Sequence, residues 1–232
     1  MRSGRLAAVT LDVTHTLLEC PSLGEIYAEV LGRHGVFVEA AAVRRTIPIV
    51  WRELSCSAPK PFDRFVSHPD GAQGWWRRFI ERTCELLDAE RPSRFAAVEL
   101  FDRFARPESW RVFPEVPATL AELRRMGFRL AVVSNWDTRL PLLLARLGLA
   151  ESFEAIVVSA AVGREKPDPA IFRAALAALE LPAEVAVHVG DHPLEDVEGA
   201  MAAGMQALHL DRSGNGGDLR DLEGLLPWLA NT

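Results

Sequence analysis

The sequence predicts an α/β protein built on a doubly wound parallel sheet, with an α-helical subdomain inserted into it. Three observations carry that expectation. Short apolar runs recur with amphipathic segments between them. The runs are near-continuous in apolar character rather than alternating, as parallel strands covered on both faces require. One interval, 12–128, is far longer than a single crossover helix needs.

In chain order, the first strand is expected at residues 6–11 (LAAVTL). The long interval that follows contains no run with strand character and reads as helices at 23–34, 40–54, 72–89 and 94–105. Pro59, Pro61, Pro69, Gly71 and Pro92 break the chain between them. Residues 19–106 are therefore assigned to a helical insertion, and residues 1–18 with 107–232 to the sheet domain. Further strands are expected at 129–134 (RLAVVS), 155–159 (AIVVS), 185–190 (VAVHVG) and 206–210 (QALHL). Helices are expected at 115–126, 138–147 and 169–179, and another contains 197–203. Gly127 and Gly148 stand where two of these helices should stop.

Composition narrows the class. With 232 residues, 49% of them hydrophobic, the chain can bury one large core or a core with a sizeable insertion. A formal net charge of -6 argues against a nucleic-acid partner, which calls for a basic face. Cys20, Cys56 and Cys84 are widely spaced and form no metal motif, which points to a reducing, cytoplasmic setting. Asp12 and His15 interrupt the apolar stretch near the N-terminus and spoil it as a signal peptide. No apolar run reaches the length, about 18 residues, that a membrane span needs, so no membrane partner is expected. Lys60 and Lys166 are the only lysines, so any task that needs an ammonium falls to one of them.

The polar residues at the expected strand ends point to chemistry. The first strand runs into Asp12, the second ends at Ser134–Asn135, the third leads by a short loop to Lys166, and the fourth ends in Gly190–Asp191, with Asp196 close behind. Each has an ordinary reading alone. Asp12 would start a turn, Ser134 or Asp137 would cap a helix, Lys166 would sit in solvent, and Asp191 and Asp196 would complement a helix dipole. Their succession at the strand ends, where open parallel sheets gather ligands, favours a shared role. Clustered carboxylates without a His/Cys set suit a hard cation, Mg²⁺ first. A serine hydroxyl and a lysine ammonium facing that cation would cradle a dianionic phosphoryl group. An aspartate touching both would be a nucleophile that forms an aspartyl phosphate.

At these residues the chain resembles the haloacid dehalogenase superfamily. Its four motifs can be placed in order: Asp12 with Thr16 and Leu17 in DVTHTLL, Ser134–Asn135 in VVSNWD, Lys166 in KPDPAIF, and Asp191 with Asp196 in HVGDHPLED. The resemblance covers essentially the whole core, and the insertion falls where the family carries its type 1 helical cap. It implies a Rossmann-like sheet and a hydrolase acting on a small phosphorylated metabolite, with Mg²⁺ as cofactor. Carried over, Asp12 is the nucleophile and a metal ligand, Thr14 lends its backbone carbonyl to the metal, and Asp191 is the second carboxylate. Asp196 is a ligand through water or an orienting partner. Ser134, Asn135 and Lys166 hold the phosphoryl oxygens, and Thr16 steadies the nucleophile loop by hydrogen bonding.

The sequence departs from the family's phosphatases at one position. They read DxD, the second Asp serving as general acid and then base; here that position is Thr14. Loss of such a group typically costs about 10²- to 10⁴-fold, which disfavours alkyl phosphates over aryl or acyl phosphates. His15 is the neighbouring group that could substitute as the acid, against the plainer reading that its ring fills the loop. Two alternatives stay open: a weakly active or non-catalytic binding protein, and a metal-independent 2-haloacid dehalogenase, an enzyme that also lacks the second Asp. In the insertion, Trp51, Trp75 and Trp76 are expected to pack internally, and the loop 68–71 (HPDG) is a candidate for substrate selection. Hinges near 19–21 and 106–108 would let the cap close. His34, His188 and His209 have no metal spacing and read as structural.

Overall fold

Apolar runs only a few residues long, separated by amphipathic segments, give short strands that must be covered on both faces. The structure is a computed structural model that describes residues 6–57 and 62–231. The chain runs β1 (Ala8–Leu11), β2 (Leu18–Glu19), α1 (Leu23–Arg33), α2 (Ala40–Ser57), α3 (Arg64–Ser67), α4 (Gly71–Leu86), α5 (Arg94–Arg103) and β3 (Arg111–Val112). It continues with α6 (Val116–Arg125), β4 (Arg129–Ser134), α7 (Leu140–Arg146), β5 (Ala155–Val158), α8 (Ser159–Val162) and α9 (Pro169–Ala178). Then come β6 (Ala186–Gly190), a π-helical turn (Pro193–Glu198), α10 (Gly199–Ala202), β7 (Gln206–His209) and α11 (Leu225–Ala230).

Five strands form a parallel sheet in the order β5-β4-β1-β6-β7. The chain moves one way from β1 to β4 and β5, then returns to the other side for β6 and β7. That reversal opens a crevice at the carboxyl ends of β1, β4 and β6, the place where such sheets bind ligands. Register aligns the polar residues. Leu11, just before Asp12, pairs with Val132 and Val189, two residues ahead of Ser134 and Asp191 respectively. Ala8, Ala131 and Val133 pack with Ile171, Phe172, Ala175 and Leu176 of α9, which seals one face of the sheet.

The described residues fall into two compact units, one of residues up to 19 and from 112 onward, the other of residues 20–111. The second boundary lies five residues beyond the division read from the sequence. Hydrogen bonds explain why: Ser109 Oγ donates to the Arg103 carbonyl (2.7 Å) and Trp110 Nε1 to that of Phe104 (2.9 Å), which ties the turn at 107–110 to the end of α5. The long interval also holds the end of one ladder that its sequence does not signal. β2 and β3 pair in a two-stranded ribbon where the chain leaves and re-enters the sheet unit, and two residues are too few to show a period.

Within the helical unit, Ile26, Tyr27, Val30 and Leu31 of α1 pack with Ile80 and Cys84 of α4 and with Ala96, Ala97 and Leu100 of α5. Trp51, Phe65, Trp75, Trp76 and Phe79 form a second, aromatic group, with the Arg64 guanidinium 4.7 Å from the Trp51 ring centre. α3 is an element the sequence does not announce; Asp63 creates it by accepting the Phe65 and Val66 backbone N–H groups (2.8 and 2.9 Å). Pro59, Lys60 and Pro61 lie outside the described residues. Among the described residues no helix is long and apolar enough to cross a membrane.

Candidate active site

Every group in the site belongs to the sheet unit. Asp12 is buried just past β1, and its Oδ1 accepts from Ser134 Oγ at the end of β4 (2.9 Å) and from Lys166 Nζ (2.6 Å). Lys166 is buried too and donates a second bond to Asp196 Oδ1 (2.5 Å). One ammonium thus bridges two carboxylates contributed by different loops. Oδ2 of Asp12 accepts no hydrogen bond from the described residues, which leaves it free for an electrophile or a cation.

Asp196 owes its place to an irregular helix start. The sequence predicts a plain helix through 197–203; instead the π-helical turn Pro193–Glu198 runs into α10. π-turns recur at functional sites because they redirect side chains. Here the turn brings Asp196 against Gly190, where an added Cβ would lie 2.2 Å from the Asp196 carboxyl carbon. Only glycine permits that approach. The second Asp196 oxygen accepts the His192 backbone N–H (2.9 Å).

The charges do not balance. Asp12, Asp191 and Asp196 each place a carboxylate oxygen within 4.8 Å of the other two, and Lys166 is the one ammonium among them. Burial, with repulsion from Asp12 and Asp196, pushes the Asp191 carboxyl up to about 8 against the partial relief given by Lys166. Asp196 goes the other way. Burial opposes its ionisation, but the Lys166 charge and the His188 hydrogen bond outweigh burial and hold it below the ordinary carboxylate range. Burial likewise works against the Lys166 ammonium, and the two flanking aspartates more than restore it. An all-oxygen donor set with surplus negative charge is what Mg²⁺ prefers. Asp12 and Asp191 have lone pairs to offer; Asp196, which already accepts three hydrogen bonds, fits the orienting role.

The loop after β1 is shaped by its backbone. The Leu17 and Leu18 N–H groups both donate to the Val13 carbonyl (2.8 and 2.9 Å), and His15 takes the left-handed conformation at φ 61° with its N–H donating to Leu18 O (2.7 Å). The His15 residue is exposed. Thr14 Oγ1 accepts from the Trp136 indole N–H (3.1 Å). Two expectations need correction. Thr16 Oγ1 is buried without a hydrogen-bond partner, so its side chain does not tie the loop. Arg212 does so instead, donating from Nε to His15 O (2.9 Å) and from Nη2 to Thr16 O and Glu115 Oε1 (2.7 Å each). The Asn135 side chain is committed elsewhere. Its Nδ2 donates to Lys166 O and Glu195 Oε2 (3.0 Å each) and its Oδ1 accepts the Lys166 N–H (2.7 Å). Both side-chain amide protons are engaged, so this side chain braces the Lys166 loop, and what Asn135 has left to offer a phosphoryl oxygen is its backbone N–H. Ser134 Oγ and Lys166 Nζ, by contrast, both point at Asp12 Oδ1.

Sequence reading passes over Thr10, Trp136, Glu195 and Arg212, and takes His188 as merely structural. For two of them a signal existed: Thr10 and His188 are polar residues inside otherwise apolar strands, paired in register. Arg212 gave none, because nothing along the chain links it to residues 15 and 16.

The family model of the haloacid dehalogenase-like hydrolases matches residues 6–204. The human haloacid dehalogenase-like hydrolase domain-containing protein 3 is 36% identical over 207 residues, covering 88% of this chain and 81% of its own. A phosphoserine phosphatase of Thermus thermophilus is 35% identical over 222 residues, with 87% of each chain covered. Among solved structures, a 2-haloacid dehalogenase from Pseudomonas syringae pv. Tomato superposes with a TM-score of 0.65 at 26% identity, over 97% of this chain and 98% of that one.

Proposed function

Because the chain belongs to the haloacid dehalogenase-like hydrolase family, we propose that it is a Mg²⁺-dependent phosphatase of a small phosphorylated metabolite, with Asp12 as the nucleophile. The observation that carries this reading is the convergence on one Asp12 oxygen of Ser134 Oγ and Lys166 Nζ, beside the Asp191 carboxylate. A phosphoryl oxygen entering between Ser134 and Lys166 inherits both donors. Asp12 Oδ2 then forms the bond to phosphorus as the bond to the leaving oxygen breaks. Water attacks the same phosphorus in the second step; the bond between Asp12 and phosphorus breaks, inorganic phosphate leaves with the protons of the water, and Asp12 returns as a carboxylate. Asp12, Asp191 and the Thr14 backbone carbonyl would hold Mg²⁺, which when bound supplies charge neutralisation at the phosphoryl oxygens. Throughout, Lys166 also offsets the repulsion between Asp12 and Asp196.

Thr14 sets the substrate class. A hydroxyl cannot protonate a leaving alkoxide near neutral pH, so aryl and acyl phosphates, which leave unprotonated, are favoured. The same residue supports the second reading, a weakly active or binding member of the family, since its hydroxyl is already engaged by Trp136.

The test is hydrolysis of p-nitrophenyl phosphate with and without Mg²⁺, with Asp12→Asn as control. Metal-dependent turnover lost in that variant supports the phosphatase. No turnover across a broad panel of phosphates, with phosphate analogues still bound, favours the binder. Chelator-resistant release of halide from 2-haloacids replaces both readings with a dehalogenase.

A further inference from the structure

A line of buried hydrogen bonds runs from the middle of the sheet into the site. His188, fully buried on β6, lies opposite Thr10 of β1 in the parallel register. Its Nδ1 is 2.8 Å from Thr10 Oγ1 and its Nε2 is 3.1 Å from Asp196 Oδ1. The Phe172 ring stands edge-on at 5.0 Å and fixes the imidazole plane. The line continues through Lys166 Nζ, 2.5 Å from the same Asp196 oxygen and 2.6 Å from Asp12.

Proton placement follows from donor and acceptor counts. A ring nitrogen aimed at a carboxylate oxygen has to carry the proton, so Nε2–H donates to Asp196. The Thr10 hydroxyl is fully buried, and among the described residues its side chain has His188 alone as partner. Were Nδ1 protonated as well, the Thr10 proton would have no acceptor in a dry interior. Thr10 O–H therefore donates to Nδ1, and the chain of donors points one way, from the sheet to Asp196.

We infer that His188, locked by Thr10 as its Nε2–H tautomer, is a positioning residue. It holds Asp196 Oδ1 at the point where that oxygen also receives Lys166, and so keeps the ammonium aimed at Asp12. This deepens the phosphatase reading and rests on it for the role of Lys166. The tautomer itself does not. His192 N–H anchors the other Asp196 oxygen; without the imidazole, nothing in the sheet restrains the oxygen that faces Lys166.

Two measurements test it. Nitrogen-15 spectra of the full-length protein should show one slowly exchanging imidazole proton on Nε2 of a histidine whose Nδ1 is unprotonated, lost in His188→Gln. An Nδ1–H tautomer, or a doubly protonated ring, overturns the inference. Kinetically, His188→Asn keeps an amide near the Thr10 end only, whereas His188→Gln restores a donor near Asp196. On p-nitrophenyl phosphate, His188→Asn should lower kcat about 10- to 100-fold at nearly constant KM, the usual scale for outer-shell partners of a site. His188→Gln should recover most of the loss. Equal kcat in wild type and folded His188→Asn overturns the inference. Thr10→Val, which keeps the shape of the side chain, serves if the histidine variants fail to fold; it should release the tautomer lock and lower kcat, and an unchanged spectrum and kcat would overturn the inference. A protein that shows the Nε2–H signal but hydrolyses no phosphate defeats the phosphatase reading and leaves the tautomer standing.

Discussion

Asp191 should give up a proton when Mg²⁺ binds. Its carboxyl is held up to about 8 by burial and by the charges of Asp12 and Asp196, so near neutral pH it is protonated in the metal-free protein. A coordinating carboxylate must be ionised, and binding therefore displaces that proton. With a midpoint near 8, the fraction released is about 0.9 at pH 7, about 0.5 at pH 8 and about 0.1 at pH 9. The logarithm of the affinity should rise by about one for each pH unit below 8 and flatten above it. Calorimetric Mg²⁺ titration in buffers of different ionisation enthalpy measures the released protons directly. Asp191→Asn should remove the release and most of the binding. Stability without metal follows the same sign. The folded-state midpoint lies above the ordinary value of 3.8, so the folded protein binds this proton more tightly than the unfolded chain. This group's contribution to stability accordingly falls from about pH 4 to about pH 8, then levels off. At about 1.4 kcal/mol per pH unit, the rise from 3.8 to about 8 bounds that fall at about 6 kcal/mol, and relaxation around the half-buried group reduces it. Mg²⁺ binding at pH 7 with no proton release would refute the charge argument.

Three more outcomes are expected. Thr14→Asp, with the Trp136 indole N–H already placed to orient a carboxylate, should raise turnover of an alkyl phosphate by about 10²-fold or more; if His15→Ala leaves that substrate's turnover unchanged in the parent, His15 is not the acid. Lys166→Met should abolish turnover and destabilise the fold by about 3–5 kcal/mol, because Asp12 and Asp196 lose their shared buried partner; lowering the pH should recover part of this in chemical denaturation, since protonation removes the repulsion. Arg212→Lys keeps the charge but not the fork that spans His15 O, Thr16 O and Glu115, and should cost about 1–3 kcal/mol and lower kcat more than it changes KM.

How much of this was legible along the chain depends on the range of the interaction concerned. The central strands β1, β4 and β6 are readable because burial on both faces writes a dense apolar run into each one; the edge strands β5 and β7 are only partly buried, and Asp12, Ser134 and Asp191 are readable because each stands at the end of a central run. The π-helical turn was not: its departure from a plain helix is set by the buried place of Asp196 against Gly190, a contact with no local pattern. Ser134 and Lys166, far apart in the chain, meet at one Asp12 oxygen. Asn135 shows the limit of reading roles from position. Its place beside Ser134 suggests a phosphate contact, yet its amide is spent on the Lys166 backbone and Glu195, partners that only the fold brings near.

The same charges constrain the order in which the site can fill. Three ionised carboxylates and one ammonium leave it net negative by two, and even with Asp191 protonated it remains negative by one. A phosphate dianion brought there first would meet repulsion at short range in a buried, low-dielectric place, where such terms are strongest. A divalent cation held first by Asp12 and Asp191 would cancel the surplus. Ser134 and Lys166 are then left as the donors that face the crevice. On this reasoning the raised Asp191 carboxyl limits the negative charge the site carries before a cation binds, and cation binding is expected to precede entry of an anion.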